Sequence, residues 1–375
     1  MNLPGSKQAD ERGIALVMVM VVVLAFGVLA ASFAFSMKVE VRLAANTTRD
    51  PDMEWLGRSG MELARFVLAE KMQIPLEGQF DALSQMWAGG PLGTNEVLMA
   101  ISLVDVPLGE GRISVRIEDL ERKININIAD EPLMQQTLMV MGVDPFASDV
   151  ITDSLLDWMD PDLDPRLNGA DGEDYLVQPN PPFPPYLCKN GPIDHISELL
   201  LVRGVDPTLY YGMGSTDAGM NMGVAPVSGP PISGGMPGYP MPMNQGPTLG
   251  TAGLRDLFTS IGGPRINVNT ASVAVLSLIP VLDENIAREI VTLRRGFDGM
   301  DGTEDDMPFI RIQDLAAVPG MVPEMLPLLN RYLTVRSSTF QVEIDTQLGD
   351  YRRRYEATLV RLGARDVIVL NFYPI

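Results

Sequence analysis

The most apolar part of the chain lies near its N-terminus, where residues 13–37 contain no ionisable side chain. A hydrocarbon core needs about 20 apolar residues of helix. The stretch from Ile14 to Phe35 supplies that length, with Ser32 as its only clearly polar member. The pattern therefore predicts a transmembrane helix over residues 14–36.

Three interpretations of this apolar stretch stay open on the residues alone. A cleaved secretory signal has a shorter apolar stretch, of about 7–15 residues, before a small-residue cleavage site, and residues 30–32 offer small residues. A plain anchor fits the length. A prepilin-like leader also fits, with residues 1–13 removed after Gly13 so that Ile14 becomes the N-terminus. Basic residues flank both ends, so their charge does not orient the helix.

Beyond the membrane, the spacing of apolar positions predicts an amphipathic stem helix over residues 54–72. Leu56, Gly60, Leu63 and Val67 recur at helical spacing and so share one face. We expect this face to pack on a sheet.

Strand signals occur on both sides of the middle of the chain. Residues 112–118 alternate between polar and β-branched side chains after a predicted turn at 107–111. The same signal returns at residues 340–344, 355–362 and 367–373. We therefore expect one antiparallel sheet, split between residues 37–123, which include the stem, and residues 336–375.

The middle of the chain repeats a motif. Residues 124–129 read Ile-Asn-Ile-Asn-Ile-Ala, and residues 266–271 read Ile-Asn-Val-Asn-Thr-Ala. Matching residue types also recur at 196–204 and 312–320. We predict two helical repeats, over residues 124–211 and 254–335.

Residues 212–253 separate the two predicted repeats. The segment is rich in Gly, Pro and Met and has no period that could bury one face. We interpret it as a disordered linker, with a Met-rich docking surface as the alternative.

Composition excludes several classes of protein. A formal net charge of -20 argues against nucleic-acid binding, because phosphate contacts require Lys and Arg. Cys188 and His195 are the only residues of their types, which excludes an internal disulfide and a site with two imidazoles. No nucleophile with an adjacent base, phosphate-binding glycine loop or nucleotide fingerprint is found. We expect no enzyme.

One acidic stretch is the main candidate for chemistry. Carboxylates at this density repel one another unless a cation or an arginine neutralises them, and calcium takes about six to eight oxygen ligands. We predict a calcium site, with a solvated loop neutralised by Arg166 as the alternative. Only the start resembles an EF-hand loop, since Pro165 stands where that loop requires glycine. The candidate ligands are Asp157, Asp160, Asp162, Asp164, Asn168, Asp171, Glu173 and Asp174.

Two other segments receive weaker predictions. The acidic residues of 298–306 are expected to form a solvated loop, with metal binding as the alternative. Residues 267–294 resemble the helix-hairpin-helix of DNA-binding proteins, in which Gly-x-Gly brings backbone amides to a phosphate. Val281 and Asp283 occupy those glycine positions and Glu284 follows, so we expect a scaffold rather than a DNA-binding hairpin.

Together these stretches resemble the general secretion pathway protein K family, the large minor pseudopilins of type II secretion. The resemblance covers most of the chain outside the linker. It is carried by Arg12-Gly13 before the apolar helix, by both Asn-containing motifs, and by residues 157–162, 168–170, 185–186, 189–190 and 198–199.

The resemblance implies an α+β fold. A long N-terminal transmembrane and stem helix would carry a pilin-like antiparallel sheet, and a large, duplicated all-α domain would be inserted into that sheet. It also implies that a prepilin peptidase cuts after Gly13 and methylates Ile14, and that calcium binds the inserted domain. Asp10 and Glu11 make the leader less basic than is usual in the family.

The fifth residue after the predicted cut is Met18. Most pilin-like subunits carry Glu there, which pairs with a neighbour's N-terminal amine. An unpartnered carboxylate in a membrane is costly. Met18 therefore favours a subunit at the tip of a filament, with no other subunit above it. The alternative is a plain membrane anchor, in which Met is equally suitable at this position. We hypothesise a non-catalytic tip subunit of the bacterial inner membrane, with a periplasmic C-terminal region. Its expected partners are other minor pseudopilins and prepilin peptidase. The alternative is a membrane-tethered DNA-uptake receptor that uses residues 267–294.

N-terminal sequencing of the protein from membranes tests the predicted processing. We expect the sequence to begin at Ile14, with or without N-methylation. An intact Met1 or a cut near Ala31 would remove the prepilin interpretation.

Overall fold

The computed structural model describes residues 11–91, 96–177, 184–212 and 251–375. Predictions that fall on the first ten residues of the leader, or on most of the 212–253 linker, lie outside the described residues. The chain divides into two units, Met1–Arg58 and Ser59–Ile375, and helix α1 (Glu11–Lys71) contributes to both.

The N-terminal unit is helical from Glu11 onward, so α1 begins inside the predicted leader. Within the described residues, Ala15–Val41 is one helical segment long and apolar enough to cross a membrane. Its apolar side chains are exposed, with Leu24 at 70% and Phe26 at 67%. The predicted apolar N-terminal helix is confirmed.

The strands of the described chain are β1 Val106–Leu108, β2 Gly111–Asp119, β3 Ile124–Asn125, β4 Phe258–Thr259, β5 Ile266–Asn267, β6 Leu333–Thr334, β7 Thr339–Leu348, β8 Tyr351–Arg361 and β9 Val367–Pro374. Five of them form one antiparallel sheet in the second unit, in the order β1-β2-β7-β8-β9. The four short strands form two separate parallel pairs, β3 with β4 and β5 with β6.

The main sheet joins the two halves that the sequence separates. Strand β2 pairs with β7 over its whole length, for example Val115 with Ile344 and Ile117 with Val342. This confirms the predicted antiparallel sheet with a large insertion between two of its strands. The turn predicted at 107–111 is wrong in extent, because Pro107 lies in β1 and only residues 109–110 connect the strands. Gly109 has a φ of 60°, a conformation that short hairpins favour.

The stem part of α1 packs on the inner face of this sheet. Val67 and Leu68 are fully buried against a core that includes Phe340, Val342 and Trp87. Gly60 permits the close approach, since a Cβ at that position would lie 2.6 Å from Cγ2 of Ile344.

Between β2 and β7 the chain is mostly short helices around a second core, whose members lie between Ile124 and Leu333. The helices of the described chain that follow α1 are α2 Glu96–Met99, α3 Glu131–Val140, α4 Pro145–Met159, α5 Asp174–Val177, α6 Pro207–Tyr211, α7 Leu254–Leu257, α8 Val273–Leu276, α9 Glu284–Arg294 and α10 Leu326–Tyr332. Asp283 caps α9 by accepting a hydrogen bond from the Ile286 N–H, as its position before the apolar stripe indicates.

The two Asn-x-Asn motifs make equivalent hydrogen bonds. Asn127 donates from Nδ2 to the Ile193 carbonyl and accepts the Ile193 N–H, and Asn269 forms the same pair of bonds with Phe309. The repeat is thus one of structure as well as of sequence. Phe258, placed by the prediction in the second repeat, pairs with Ile124 of the first.

A buried network of charged and polar groups, the junction, links the sheet to the helical insertion. At its centre the Asp81 carboxylate accepts bonds from Lys71 Nζ, from Arg361 Nη2 at 2.5 Å and from the Ser337 N–H at 2.8 Å. Asp81 is inaccessible to solvent, and the side chains of Lys71 and Arg361 are 2% exposed.

Asp119, at the end of β2, is the second carboxylate of the junction. Its Oδ2 accepts bonds from Asn267 Nδ2 and from the hydroxyls of Thr270 and Ser337, at 3.1, 2.6 and 2.6 Å. Burial raises the pKa of Asp119 to about 6, even though the Ser337 and Thr270 hydrogen bonds oppose the shift.

Replacing Asp119 should change how stability depends on pH. The Asp119 carboxyl binds a proton more tightly in the folded chain than in the unfolded chain, because its pKa is higher there. Protonation of this group therefore raises the free energy of unfolding by about 2–3 kcal/mol as the pH falls from about 7 to 4. We expect the difference in unfolding free energy between the wild type and Asp119→Asn to vary across this range. Chemical unfolding in detergent at a series of pH values measures it.

The matched control is Thr346→Ala, a buried polar residue of β7 that carries no ionisable group. Its difference in unfolding free energy from the wild type should stay nearly constant over the same pH range. An Asp119→Asn difference that is equally constant would contradict the prediction.

Candidate metal centre

The acidic stretch begins at the C-terminal end of α4. Asp144 caps the start of this helix by accepting from the N–H groups of residues 146 and 147. The apolar face of α4 then carries Asp157 and Trp158 into the interior, where both are buried. Asp160 ends the helix, so the loop that follows starts beside the second core.

Three carboxylates of the predicted set converge in this loop. Oxygens of Asp160, Asp162 and Asp171 all lie within 4.8 Å of one another. Asp171 is 3% exposed, Asp160 is partly buried and Asp162 is exposed. We call these three residues the carboxylate triad.

The triad is electrostatically unfavourable without a cation. Burial, followed by the negative charges of Asp162 and Asp171, raises the pKa of Asp160. Its Oδ1 is buried and has no hydrogen-bond partner among the described residues. A buried acceptor without a partner loses its solvation with no compensation, and a bound cation would supply the missing interaction.

Asp157 lies near Asp160 and Asp171 of the triad and is held by the loop itself. Its carboxylate accepts the Arg166 N–H at 3.1 Å, and Arg166 Nε lies 3.5 Å from it. Burial raises the pKa of Asp157 to about 6. A Cβ at Gly169 would lie 1.8 Å from Asp157 Oδ2, so a larger residue there would displace the Asp157 carboxylate. Asp157 and Gly169 therefore shape the loop, and Arg166 is a counterion to Asp157.

Asn190 is part of this centre, although the sequence pattern did not mark it as a ligand. Its Nδ2 donates to the Asp162 carbonyl and to Asp171 Oδ2, and its Oδ1 is buried without a partner among the described residues. Its φ is 48°, in the left-handed region that Asn tolerates better than most residues. An Asn-Gly pair signals a turn but not a ligand.

Besides Asp157, four residues of the predicted set do not join the triad. Asn168 bonds instead to Asp153 through both its N–H and its Nδ2, at 3.1 Å. Asp174 accepts the Asp171 N–H at 3.2 Å and so supports the loop. Asp164 and Glu173 are exposed.

The donor chemistry of the centre is entirely oxygen. Burial raises the pKa of the nearby Cys188 thiol to about 12, which keeps it protonated, and His195 uses Nδ1 to cap a short 3₁₀ helix. Zinc is bound mainly by thiolate and imidazole, whereas calcium and magnesium are bound by oxygen. The residues present therefore fit a hard divalent cation.

The second acidic segment, 298–306, is arranged differently. Asp301 forms ion pairs with Arg294 at 3.1 Å and with Arg295 at 2.8 Å. Burial alone would raise the pKa of Asp301, but these two guanidinium groups outweigh it and hold that pKa below its usual value. Asp305 accepts backbone N–H groups of its own loop. The expectation of a wholly solvated loop is therefore wrong for Asp301, which is mostly buried.

The hairpin before α9 lacks the features of a phosphate-binding loop. Val281 has a φ of 74°, where its Cβ is unfavourable and glycine would be relaxed. The Asp283 carboxylate occupies the helix N-terminus, the position that would otherwise receive an anion.

Comparison with known proteins agrees with this fold. The family model of the type II secretion system protein K matches residues 117–214. Type II secretion system protein K of Aeromonas hydrophila is 22% identical over 96% of both chains. The Pseudomonas aeruginosa protein K is 24% identical over 95% of this chain and 93% of its own. The Klebsiella pneumoniae protein K is 27% identical, but that match spans only 53% of this chain and 60% of the relative.

A solved structure shows the same fold. The crystal structure of the GspK-GspI-GspJ complex from the type 2 secretion system of enterotoxigenic Escherichia coli contains a chain that matches with a TM-score of 0.59. The match covers 88% of this chain and 99% of that one, at 17% identity. The resemblance to the protein K family is confirmed.

Proposed function

We propose that this chain, a type II secretion minor pseudopilin of the protein K family, is the non-catalytic subunit that caps the tip of the pseudopilus. The support is the similarity to protein K relatives over nearly the full length of the chain, together with a sheet interrupted by a large insertion. Residues between β2 and β7 make up more than half of the chain.

The N-terminal helix provides the membrane anchor of this proposal. Ala15–Val41 is apolar and long enough to span the bilayer. We infer that it lies in the bacterial inner membrane after cleavage behind Gly13, with Ile14 methylated and the second unit in the periplasm. Prepilin peptidase would carry out this processing.

Met18 supports a terminal position in the filament. Its side chain is 65% exposed on α1, in the apolar stretch where an ordinary pilin subunit carries a glutamate. A carboxylate there needs the amine of a subunit above it, and without that amine its burial in lipid is costly. The large insertion agrees with this position, because such a subunit is too bulky to repeat along a filament that passes an outer-membrane pore.

Other minor pseudopilins are the proposed partners. The matching crystal structure is that of a complex of three proteins, GspK, GspI and GspJ. We infer that this chain assembles with two comparable subunits. The net charge of -20 and the carboxylate at the N-terminus of α9 do not favour the alternative, a DNA-uptake receptor.

Calcium is the proposed cofactor of the carboxylate triad. The triad, with Asn190 Oδ1 as a further oxygen donor, would hold the ion, and backbone carbonyls or water would complete its shell. A bound divalent cation would cancel the repulsion among the three carboxylates and so stabilise the loop.

Labelling of isolated pseudopili tests the capping role. Gold-conjugated antibody against this chain should mark one end of each filament in electron micrographs, whereas antibody against the most abundant pseudopilin should mark the whole length. Gold distributed along the filament would contradict the proposal, because a cap has a single position.

Thermal unfolding with and without calcium tests the cation site. Calcium should raise Tm by several degrees, because a ligand that binds only the folded state stabilises it by mass action. The Trp158 fluorescence should report the same binding, since Trp158 packs on Tyr175 just before Asp160. Asp171→Asn should remove both responses.

The matched control is Asp164→Asn, a carboxylate of the same loop outside the triad. It should retain the calcium response. Equal responses from both variants, or a response to magnesium as large as that to calcium, would contradict a calcium site at the triad.

A further inference from the structure

A groove on the outer face of the main sheet gathers arginine side chains in a strongly acidic protein. It has a volume of about 710 Å³ and opens at the hairpin end of β2, β7 and β8. The charged residues that line it are Arg112, Arg352, Arg353, Arg354, Asp105 and Asp345. Their side chains carry a local excess of positive charge, although the chain as a whole has a net charge of -20. We call this feature the arginine groove.

The strand register places Arg112, Arg352 and Arg354 on the sheet surface away from α1, whereas Arg353 lies on the same side of β8 as Tyr355. Arg112 of β2 and Arg352 of β8 both flank Gln347 of β7, and Arg354 lies opposite Asp345. The neighbouring positions Val115, Ile344 and Tyr355 point the other way, into the core. The groove is therefore on the surface that the stem helix leaves open.

Arg112, Arg352 and Arg354 are accessible and only partly neutralised. Arg354 Nε donates to Asp345 at 2.8 Å, and Arg112 pairs with Asp105. The side chains of Arg354 and Arg112 are nevertheless 53% and 54% exposed. Arg352 makes no ion pair with any residue that the structure describes. The pairs with Asp345 and Asp105 show that carboxylates suit these guanidinium groups. A carboxylate from another molecule would bind the guanidinium N–H groups that the two aspartates do not use.

The spacing of the arginines fits an extended chain. Arg352 and Arg354 are two residues apart on one strand, which separates them by about 6.8 Å. An extended peptide repeats its same-side side chains at that interval, so alternate acidic residues would meet these two arginines in turn. Guanidinium groups bind carboxylates through paired, charge-assisted hydrogen bonds.

We propose that the arginine groove is a docking site for an extended segment of a partner protein that carries acidic residues at alternate positions. Large polyanions are disfavoured, because the overall negative charge of the chain repels them. A short segment is affected mainly by charges within a Debye length of about 8–10 Å, and the charged side chains that line the groove are four arginines and two aspartates. This docking proposal rests on the charges of the groove and is independent of whether the subunit caps the filament.

Fluorescence anisotropy with the full chain in phosphatidylcholine nanodiscs tests the proposal. The probe is a fluorescein-labelled heptapeptide, Gly-Glu-Thr-Glu-Thr-Glu-Gly, and its control has the same composition in block order, Gly-Glu-Glu-Glu-Thr-Thr-Gly. We expect the alternating peptide to bind at least about threefold more tightly, and its affinity to fall as salt rises from 50 to 500 mM, roughly across the range where exposed charges become screened.

Substitutions in the groove should change the affinity in opposite directions. The double variant Arg352→Gln/Arg354→Gln should weaken binding by about tenfold or more, because it removes two charge-assisted contacts. Asp345→Asn should tighten binding, because it releases Arg354 from its internal partner. Arg116→Gln is the matched control, since Arg116 is 79% exposed on the same sheet face but lies outside the groove, and it should change affinity by less than about twofold.

Three results would overturn the proposal. The first is a loss of peptide affinity in Arg116→Gln as large as that in the double variant. The second is an unchanged or lower peptide affinity in Asp345→Asn, which is informative even where the double variant folds poorly. The third is displacement of the peptide by vesicles of phosphatidylglycerol but not of phosphatidylcholine, which would assign the groove to an anionic membrane.

Discussion

The fold depends on one buried carboxylate, Asp81, which is neutralised from two distant parts of the chain. Lys71 approaches it from the end of the stem helix, and Arg361 approaches it from β8, 280 positions away. Burial lowers the pKa of Lys71 to about 8 while Asp81 opposes that shift. Removing one partner of a buried ion pair leaves an uncompensated charge, at a cost of about 3–5 kcal/mol. These ion pairs therefore fix the position of the stem helix relative to β8 of the sheet.

The same junction fixes the helical insertion to the sheet, and the duplicated motif supplies the contact. In the second repeat Asn267 donates to the Asp81 carbonyl, to Asp119 and to Ser337. In the first repeat the equivalent Asn125 donates to the Gly262 carbonyl, within the insertion. The second Asn of each motif, Asn127 or Asn269, bonds to the backbone of a later loop in the same way in both copies. The first Asn differs in its partners, so the second repeat is bonded to the sheet through Asn267. The first repeat makes no equivalent bond through Asn125 and carries the carboxylate triad instead.

Much of the fold was predictable because it depends on local periodicity. Alternation between buried and polar positions places β2 and β7, and their apolar residues become the core under α1. The junction was not predictable, since none of its groups has a local pattern and its members come from six separate places in the chain, between Lys71 and Arg361. The triad was predictable only in part. The acidic density marks the loop, but which carboxylates converge depends on Gly169, Arg166 and Asn190, whose roles are set by the folded loop.

The two acidic loops show why density of carboxylates does not by itself define a cation site. In the 298–306 loop, Asp301 is met by Arg294 and Arg295, and Arg294 is itself buried and bonded to the carbonyls of Val268 and Ala271. That loop balances its charge with its own arginines, so a cation there would have to displace them. In the 157–174 loop, Arg166 is directed to Asp157, and the three converging oxygens of the triad remain without a cationic partner among the described residues. Charge balance after folding, which the sequence alone does not determine, decides which loop can bind a metal.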